Sequence, residues 1–247
     1  INFDIIDNPK LKEIVKKISK NSKNLYPYFA TVKTGIVAYE KGKGKPAQSQ
    51  KMIDDRIYHS KNKKNQKYIK YLEGKDVNRY FLNWSENFIK YGENLAAPRT
   101  SSLFIKDRIL VRQIPSKPPY CIHSVLVKKE YINDRNSMNI IDIKIKPEIL
   151  LSIINSKLIS FWFIVRFAKL QRDLFPQFKA NELEKFPIPI IKNKTTEKEL
   201  VSLVEKKLNN PNDILLDNKI DRIIYDLFSI SNEDKDVIEI FLNSFIN

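Results

Sequence analysis

Four groups of residues in this 247-residue chain could carry chemistry by type and spacing. Asp134, Asp142 and Lys144 follow the acidic-acidic-x-Lys pattern of metal-dependent nucleases, in which two carboxylates bind magnesium. No Pro precedes Asp134, no second supporting acid is in view, and such spacing arises easily in a chain rich in Asp and Lys. Exposed positions on an alternating strand are the expectation. Gly42-Lys43-Gly44-Lys45 has the look of a phosphate loop, but Tyr39 and Pro46 stand where a Walker loop needs its first Gly and its Ser/Thr. With five glycines in all and no Gly-x-Gly-x-x-Gly, a nucleotide-cofactor site within the chain is not expected. His59, His123 and the lone Cys121 leave little material for a zinc centre or a His-based triad, and exclude an internal disulfide.

Lys117-Pro118-Pro119-Tyr120 sits one residue from the Asp/Asn/Ser-Pro-Pro-Tyr signature of amino-group methylation. There the first side chain accepts a hydrogen bond from the target amine, which a lysine ammonium cannot do. A proline turn between two strands is the expectation. His59 and His123 read as ordinary surface or half-buried residues, and Cys121 as a small buried hydrophobe.

The signal that does carry weight is the placement of charge. Residues 1–130 hold 27 Lys and Arg against 12 Asp and Glu, whereas residues 131–247 hold 17 of each. The whole excess of +15 lies in one half. A one-sided positive field suits a polyanion, whose condensed counterions are released on binding. The densest stretch, Lys41 to Lys70, has ten basic residues and two acidic ones. Basic side chains there and nearby alternate with polar ones that read base edges and hold phosphates. The candidate DNA contacts are Lys33, Thr34, Lys41, Lys43, Lys45, Lys63, Lys64, Lys75, Arg79, Arg99, Arg108, Arg112, Gln113, Gln171 and Arg172. Arg112 and Arg79 are the expected base readers. Gly74 and Asp76 are expected to shape a turn, with Asp76 holding Arg79 in a planar bidentate pair.

The elements that must position these residues are legible in part. Asp7 or Asn8 before Pro9 predicts a helix from Pro9 to about Asn21, with Leu11, Ile14, Val15 and Ile18 on its stripe. Strands are expected over Phe104–Ile114, Tyr120–Val127 and Met138–Ile145, and a turn over Pro115–Pro119. Pro147 opens one long helix through Ile149 to Ala168, too often interrupted by polar residues for a membrane span of roughly 20 apolar residues. Thr196-x-x-Glu199 and Ser231-x-x-Asp234 have capping-box spacing, and Ile220, Ile223, Ile224 and Leu227 form a helical stripe. The class is α+β: a mixed β-sheet with a long packed helix and a C-terminal helical cluster. The expected division is an N-terminal linking helix over 1–24, a recognition body over 25–190 and a helical segment over 191–247. The chain starts at Ile1 with no signal-peptide features, so a piece of a longer protein is expected.

Several segments, in order, resemble the TaqI-like C-terminal specificity domain of adenine-specific DNA methyltransferases, including type IIG restriction-modification enzymes. They are Thr34-Gly35-Ile36, Tyr39–Pro46, Tyr71–Tyr80, Lys90-Tyr91-Gly92 with Pro98-Arg99, Arg108–Ile114, Leu151–Leu158, Arg172–Pro176 and Phe186–Pro189. The family's Leu-Asn-Ser-Lys-Leu pattern stands here with Ile154 in the first place, and Ile220–Leu227 resembles the helix that ends such enzymes.

The resemblance implies a target-recognition module that makes no bonds. It would hold duplex DNA, read its sequence and present an adenine for flipping to an upstream methyltransferase domain. S-adenosylmethionine, and magnesium if a nuclease is joined, would belong to that parent, a bacterial cytoplasmic enzyme of phage defence. No cofactor or metal is expected in this part. Two alternatives remain open from sequence: a stand-alone magnesium-dependent nuclease built on Asp134, Asp142 and Lys144, and a basic RNA- or protein-binding module. Exposed Tyr58, Tyr68, Tyr71 and Tyr80 would serve the RNA reading by stacking on bases.

Overall fold

In the computed structural model the described residues are 8–128, 130–167, 177 and 179–245. The strands are β1 (Ser22–Asn24), β2 (Thr31–Thr34), β3 (His59–Ser60), β4 (Tyr68–Leu72), β5 (Asn87–Lys90), β6 (Arg108–Arg112), β7 (Ser124–Val127), β8 (Ile132–Asn133), β9 (Ser137–Ile141) and β10 (Pro187–Pro189). The helices are α1 (Pro9–Lys20), α2 (Leu25–Tyr28), α3 (Gln50–Asp54), α4 (Ser102–Ile105), α5 (Pro147–Ile154), α6 (Lys157–Phe167), α7 (Ala180–Leu183), α8 (Lys194–Asn209), α9 (Ile214–Leu227) and α10 (Asn232–Asn243). The α+β class expected from sequence holds.

The central sheet runs β2-β9-β6-β7, antiparallel throughout. Period two along β6 sends Ile109 and Val111 to one face and Arg108, Leu110 and Arg112 to the other. Ile109 and Val111 join Met138 and Ile140 of β9 in the main core. That core also draws Ile14 and Ile18 from α1, most of α5 and α6, and Leu200, Val204, Ile220, Ile224 and Phe241 from α8, α9 and α10. The opposite face meets a second sheet, β3-β5-β4-β8, in which only the β4–β8 pairing is parallel. Its own core comprises Ile36, Tyr58, Tyr71, Ile89, Leu95, Leu103, Phe104 and Ile132.

Arg108 fills the seam between the two sheets and is completely buried. Its guanidinium donates to Asn139 Oδ1 at 2.9 Å, the Phe104 carbonyl at 2.9 Å and the Tyr131 carbonyl at 2.6 Å. Burial pulls its pKa down to about 10, so it stays charged at neutral pH.

Local expectations hold in several places. Asn8 caps α1 by accepting from the Lys10 and Leu11 amides, and Ser231 caps α10 by accepting from Asp234 N. Elsewhere the chain departs from them. Phe104 and Ile105 lie in α4, so the strand begins at Arg108. β9 ends at Ile141 because Asp142 takes a left-handed conformation, φ 52°, that turns the chain out of the sheet. The helix α8 starts at Asn193, whose side chain accepts from the Thr195 and Thr196 amides, rather than at Thr196.

The single long helix is instead two, α5 and α6, bent by 57°. Asn155 at the break is bound both ways to Ser124 of β7, accepting from its amide at 2.9 Å and donating to its carbonyl at 3.0 Å. The Asn155 carbonyl accepts from Arg79 Nε at 3.0 Å instead of from the next helical turn. Among the described residues no single helix is long and apolar enough to cross a membrane; the bent α5–α6 pair meets those criteria only jointly, and most of its side chains are buried.

The C-terminal helices are held to the rest of the chain by charge as well as by packing. Asp217 of α9 pairs with Arg79 at 2.7 Å and with the fully buried Lys207 of α8 at 2.8 Å. Removing one member of a buried ion cluster strands the others, at a cost of about 3–5 kcal/mol. Asp217→Ala is therefore expected to lower unfolding free energy in urea by about that amount, and a loss below about 1 kcal/mol would contradict the role given to this cluster.

Candidate nucleic-acid interface

Residues of the basic half line most of two clefts. The larger, about 660 Å³, lies between the outer strand β2 and residues 98–106. Lys33 and Thr34 line one wall, Arg99, Thr100, Ser102 and Lys106 the other, with Asp142 at the end of β9. Arg99 is fixed there rather than free. Its side chain donates to Thr34 Oγ1 at 2.8 Å and to the Gly35 carbonyl at 3.2 Å, and its own carbonyl accepts from Tyr91 OH at 2.8 Å. Gly35 itself is required by its other neighbour, since a Cβ there would lie 2.1 Å from the Asp134 carbonyl oxygen.

Next to that cleft the loop from Lys41 to Pro46 presents Lys41, Lys43 and Lys45 to solvent. Buried Gln48 organises it by donating to the Ala38 and Asn94 carbonyls and accepting from Glu40 N. Gly44, at φ 81°, packs where a Cβ would come within 2.4 Å of the Asn94 carbonyl oxygen. Lys45 pairs with exposed Glu93 at 3.3 Å. Lys63 and Lys64 are exposed on the turn between β3 and β4, with Lys64 Nζ 5.8 Å from the Tyr68 ring centre.

The smaller cleft, about 380 Å³, is lined by Arg56, Tyr71, Glu73, Gly74, Lys75, Arg112, Ile114, Asp134 and Asn136. Glu73 holds Arg56 at 2.7 Å and Lys75 at 2.9 Å. Gly74 is needed because Asn136 passes close by, and a Cβ at Gly74 would lie 2.8 Å from the Asn136 carbonyl oxygen. Burial drives the Asp134 carboxyl up to about 6, although Asn136 donates to it from both its backbone and its side chain. Burial, aided by the Arg56 charge, takes His59 down to about 4.

Several sequence-based assignments move. Arg108 is interior, as described above, and cannot touch a ligand in this fold. Arg79 is not a surface base reader: it is mostly buried, lies 3.7 Å from the Tyr120 ring centre and pairs with Asp217. Asp76 does not hold it. The Asp76 carboxylate instead accepts from Glu73 N at 2.9 Å and Ser85 Oγ at 2.8 Å, closing the Gly74 turn. Gln113 is half-buried, and its amide donates to the Asn136 carbonyl. Gln171 and Arg172 lie outside the described residues, as does the segment Arg172–Pro176.

The nuclease pattern is not assembled. Asp134 is buried rather than exposed and lines the smaller cleft, Asp142 lines the larger, and Lys144 Nζ donates to the Pro27 carbonyl. Among the described residues no three potential ligands could share a metal ion. Tyr58, Tyr68, Tyr71 and Tyr80 are all buried, so none offers a free face for stacking on a base. Sequence reading passed over Gln48, Arg56, Lys106 and Asp217. Of these only Arg56, inside the densest basic stretch, carried a signal.

The two clefts and the strands around them fall largely within a segment of known type. Residues 69–188 match the TaqI-like C-terminal specificity domain. The resemblance carried by the motifs is thereby shown for the heart of the chain. A Methanocaldococcus jannaschii protein, whose name assigns it type II restriction and methyltransferase activities, is 27% identical over 235 residues. That alignment spans 90% of this chain but 18% of the relative, so the chain corresponds to a small part of that protein. The type IIG restriction endonuclease BpuSI shares the fold at 9% identity, with a TM-score of 0.53 over 90% of this chain and 33% of its own. The type IIL restriction-modification enzyme MmeI, solved in complex with DNA, aligns at 9% identity with a TM-score of 0.49, over 87% of this chain and 35% of its own.

The buried Asp134 sets a pH signature. An unfolded aspartate titrates near 3.9, whereas burial holds Asp134 at about 6. Between those values the native state keeps a proton that the unfolded chain has released. Its contribution is full below about 3.9 and is lost as pH rises through about 6. In Asp134→Asn, stability should climb more steeply between pH values of about 4 and about 6 than in the wild type, by up to about 1.4 kcal/mol per unit. Parallel curves from urea titrations would contradict a neutral buried carboxyl.

Proposed function

We propose that this chain is the target-recognition part of a type II restriction-modification enzyme or adenine-specific DNA methyltransferase. It binds double-stranded DNA, reads its sequence and makes no bonds itself. One observation carries this reading: the specificity-domain match falls on the segment that supplies Arg99, Arg112 and Lys75 to two basic-lined clefts. Exposed Lys41, Lys43, Lys63 and Lys64 extend the same positive surface, and neutralising phosphates there would release counterions.

On this reading the chain positions one adenine for a neighbouring methyltransferase domain, which would bring S-adenosylmethionine. Magnesium would belong to a nuclease domain where one is joined. The parent acts in the cytoplasm, on DNA, in defence against phage. Arg112 remains a candidate base reader, with a cost of about 1–3 kcal/mol at one base pair on its replacement.

Selection from a randomised duplex pool at two salt concentrations tests the reading. An enriched motif that survives the higher salt supports it, and binding without a motif would overturn sequence reading by this chain. Lys63→Gln or Lys64→Gln should weaken all duplexes alike and reduce the salt slope by roughly 0.9 per lost phosphate contact. A loss confined to one sequence would contradict a phosphate role for these lysines.

A further inference from the structure

The larger cleft holds an arginine and an aspartate that do not neutralise each other. Arg99 and Asp142 both line it, yet among the described residues neither is within ion-pair distance of an opposite charge. Both also sit in the left-handed region, Arg99 at φ 62° and Asp142 at φ 52°. Non-glycine residues are held there at some energetic cost, and such strain concentrates at functional sites. Here both residues line the same cleft from different parts of the chain.

Their chemistry is complementary to one base pair. Two of the five guanidinium N–H groups of Arg99 are spent on Thr34 Oγ1 and the Gly35 carbonyl. Three remain, enough for a bidentate contact, and the two internal bonds fix the plane of the fork. In the major groove a G·C pair presents two acceptors, guanine N7 and O6, beside one donor, the cytosine amino group. Arginine matches the first and a carboxylate the second. A cleft made only to hold a phosphate would gain nothing from an unpaired carboxylate, which repels it.

We infer that this cleft reads a single G·C pair, with Arg99 donating to guanine O6 and N7 and Asp142 accepting from the cytosine amino group. Lys33 and Lys106 at its margins hold the flanking phosphates. The inference rests on the DNA-recognition reading and goes further by naming the base pair and its two readers.

The test is selection from the randomised duplex pool with the wild-type chain, Arg99→Met and Asp142→Asn, each checked for native circular dichroism. The wild-type motif should contain one invariant G·C position. Arg99→Met should reduce discrimination at that position by about 5- to 150-fold, the equivalent of 1–3 kcal/mol, leaving the other positions intact. Asp142→Asn should admit A·T at the same position, since an amide can both donate to and accept from adenine. A motif that both variants leave unchanged would overturn the inference while sparing the DNA reading. Uniform weakening across all sequences by Arg99→Met would make the cleft a phosphate clamp and also overturn it. If the wild-type chain enriched no motif, both readings would fail together.

Discussion

A guanidinium buried between two sheets governs the geometry of the cleft that carries Arg99 and Asp142. Arg108 gives up its hydration inside the seam, which is costly for any charge, and recovers it through carbonyl and amide acceptors instead of a carboxylate. Those acceptors are not arbitrary. The Phe104 carbonyl belongs to α4, which forms one wall of the larger cleft, and Asn139 belongs to β9, whose end forms another. Asn139 in turn donates to the Lys33 carbonyl on β2. A single cation thus sets the spacing of the walls between which Arg99 and Asp142 are displayed.

A second buried arginine does for the C-terminal helices what Arg108 does for the sheets. Arg79 stacks on Tyr120, donates to the Asn155 carbonyl at the α5–α6 bend and pairs with Asp217 of α9. Asp221 of the same helix accepts from Tyr120 OH and from Lys157 N, so α9 grips the bend from two positions. The acids of the balanced half are partly used in this way, against cations inside the protein. The basic half supplies Arg79 to that network and leaves most of its lysines facing outward. The charge asymmetry therefore maps onto the exposed surface only after the two interior arginines are set aside.

What was legible in sequence was local. Asn8-Pro9, Ser231 and the stripe Ile220-Ile223-Ile224 announce their helices because capping and 3.6-residue periodicity act within a turn or two. The segments resembling a specificity domain were legible as well, and most of those from Tyr71 onward lie inside residues 69–188, which match that family. Which arginine reaches a ligand was not. Arg79, Arg99, Arg108 and Arg112 look alike in sequence, and their fates depend on Asp217, Thr34 and the second sheet, all far along the chain. Alternation along β6 put Arg108 on a sheet face, but only the packing of the second sheet decides that the face is covered. The break at Asn155 has the same character, since it follows from Ser124 and Arg79 rather than from any local helix breaker.

Amide hydrogen exchange of this chain, with and without a saturating mixed-sequence DNA duplex, tests the central claim most directly. A surface that holds duplex DNA through the two clefts should gain protection at residues 33–45, 60–67, 71–75, 97–106 and 112–114, while α8, α9 and α10 stay unchanged. Protection confined to those C-terminal helices, or no change anywhere at low salt, would contradict it.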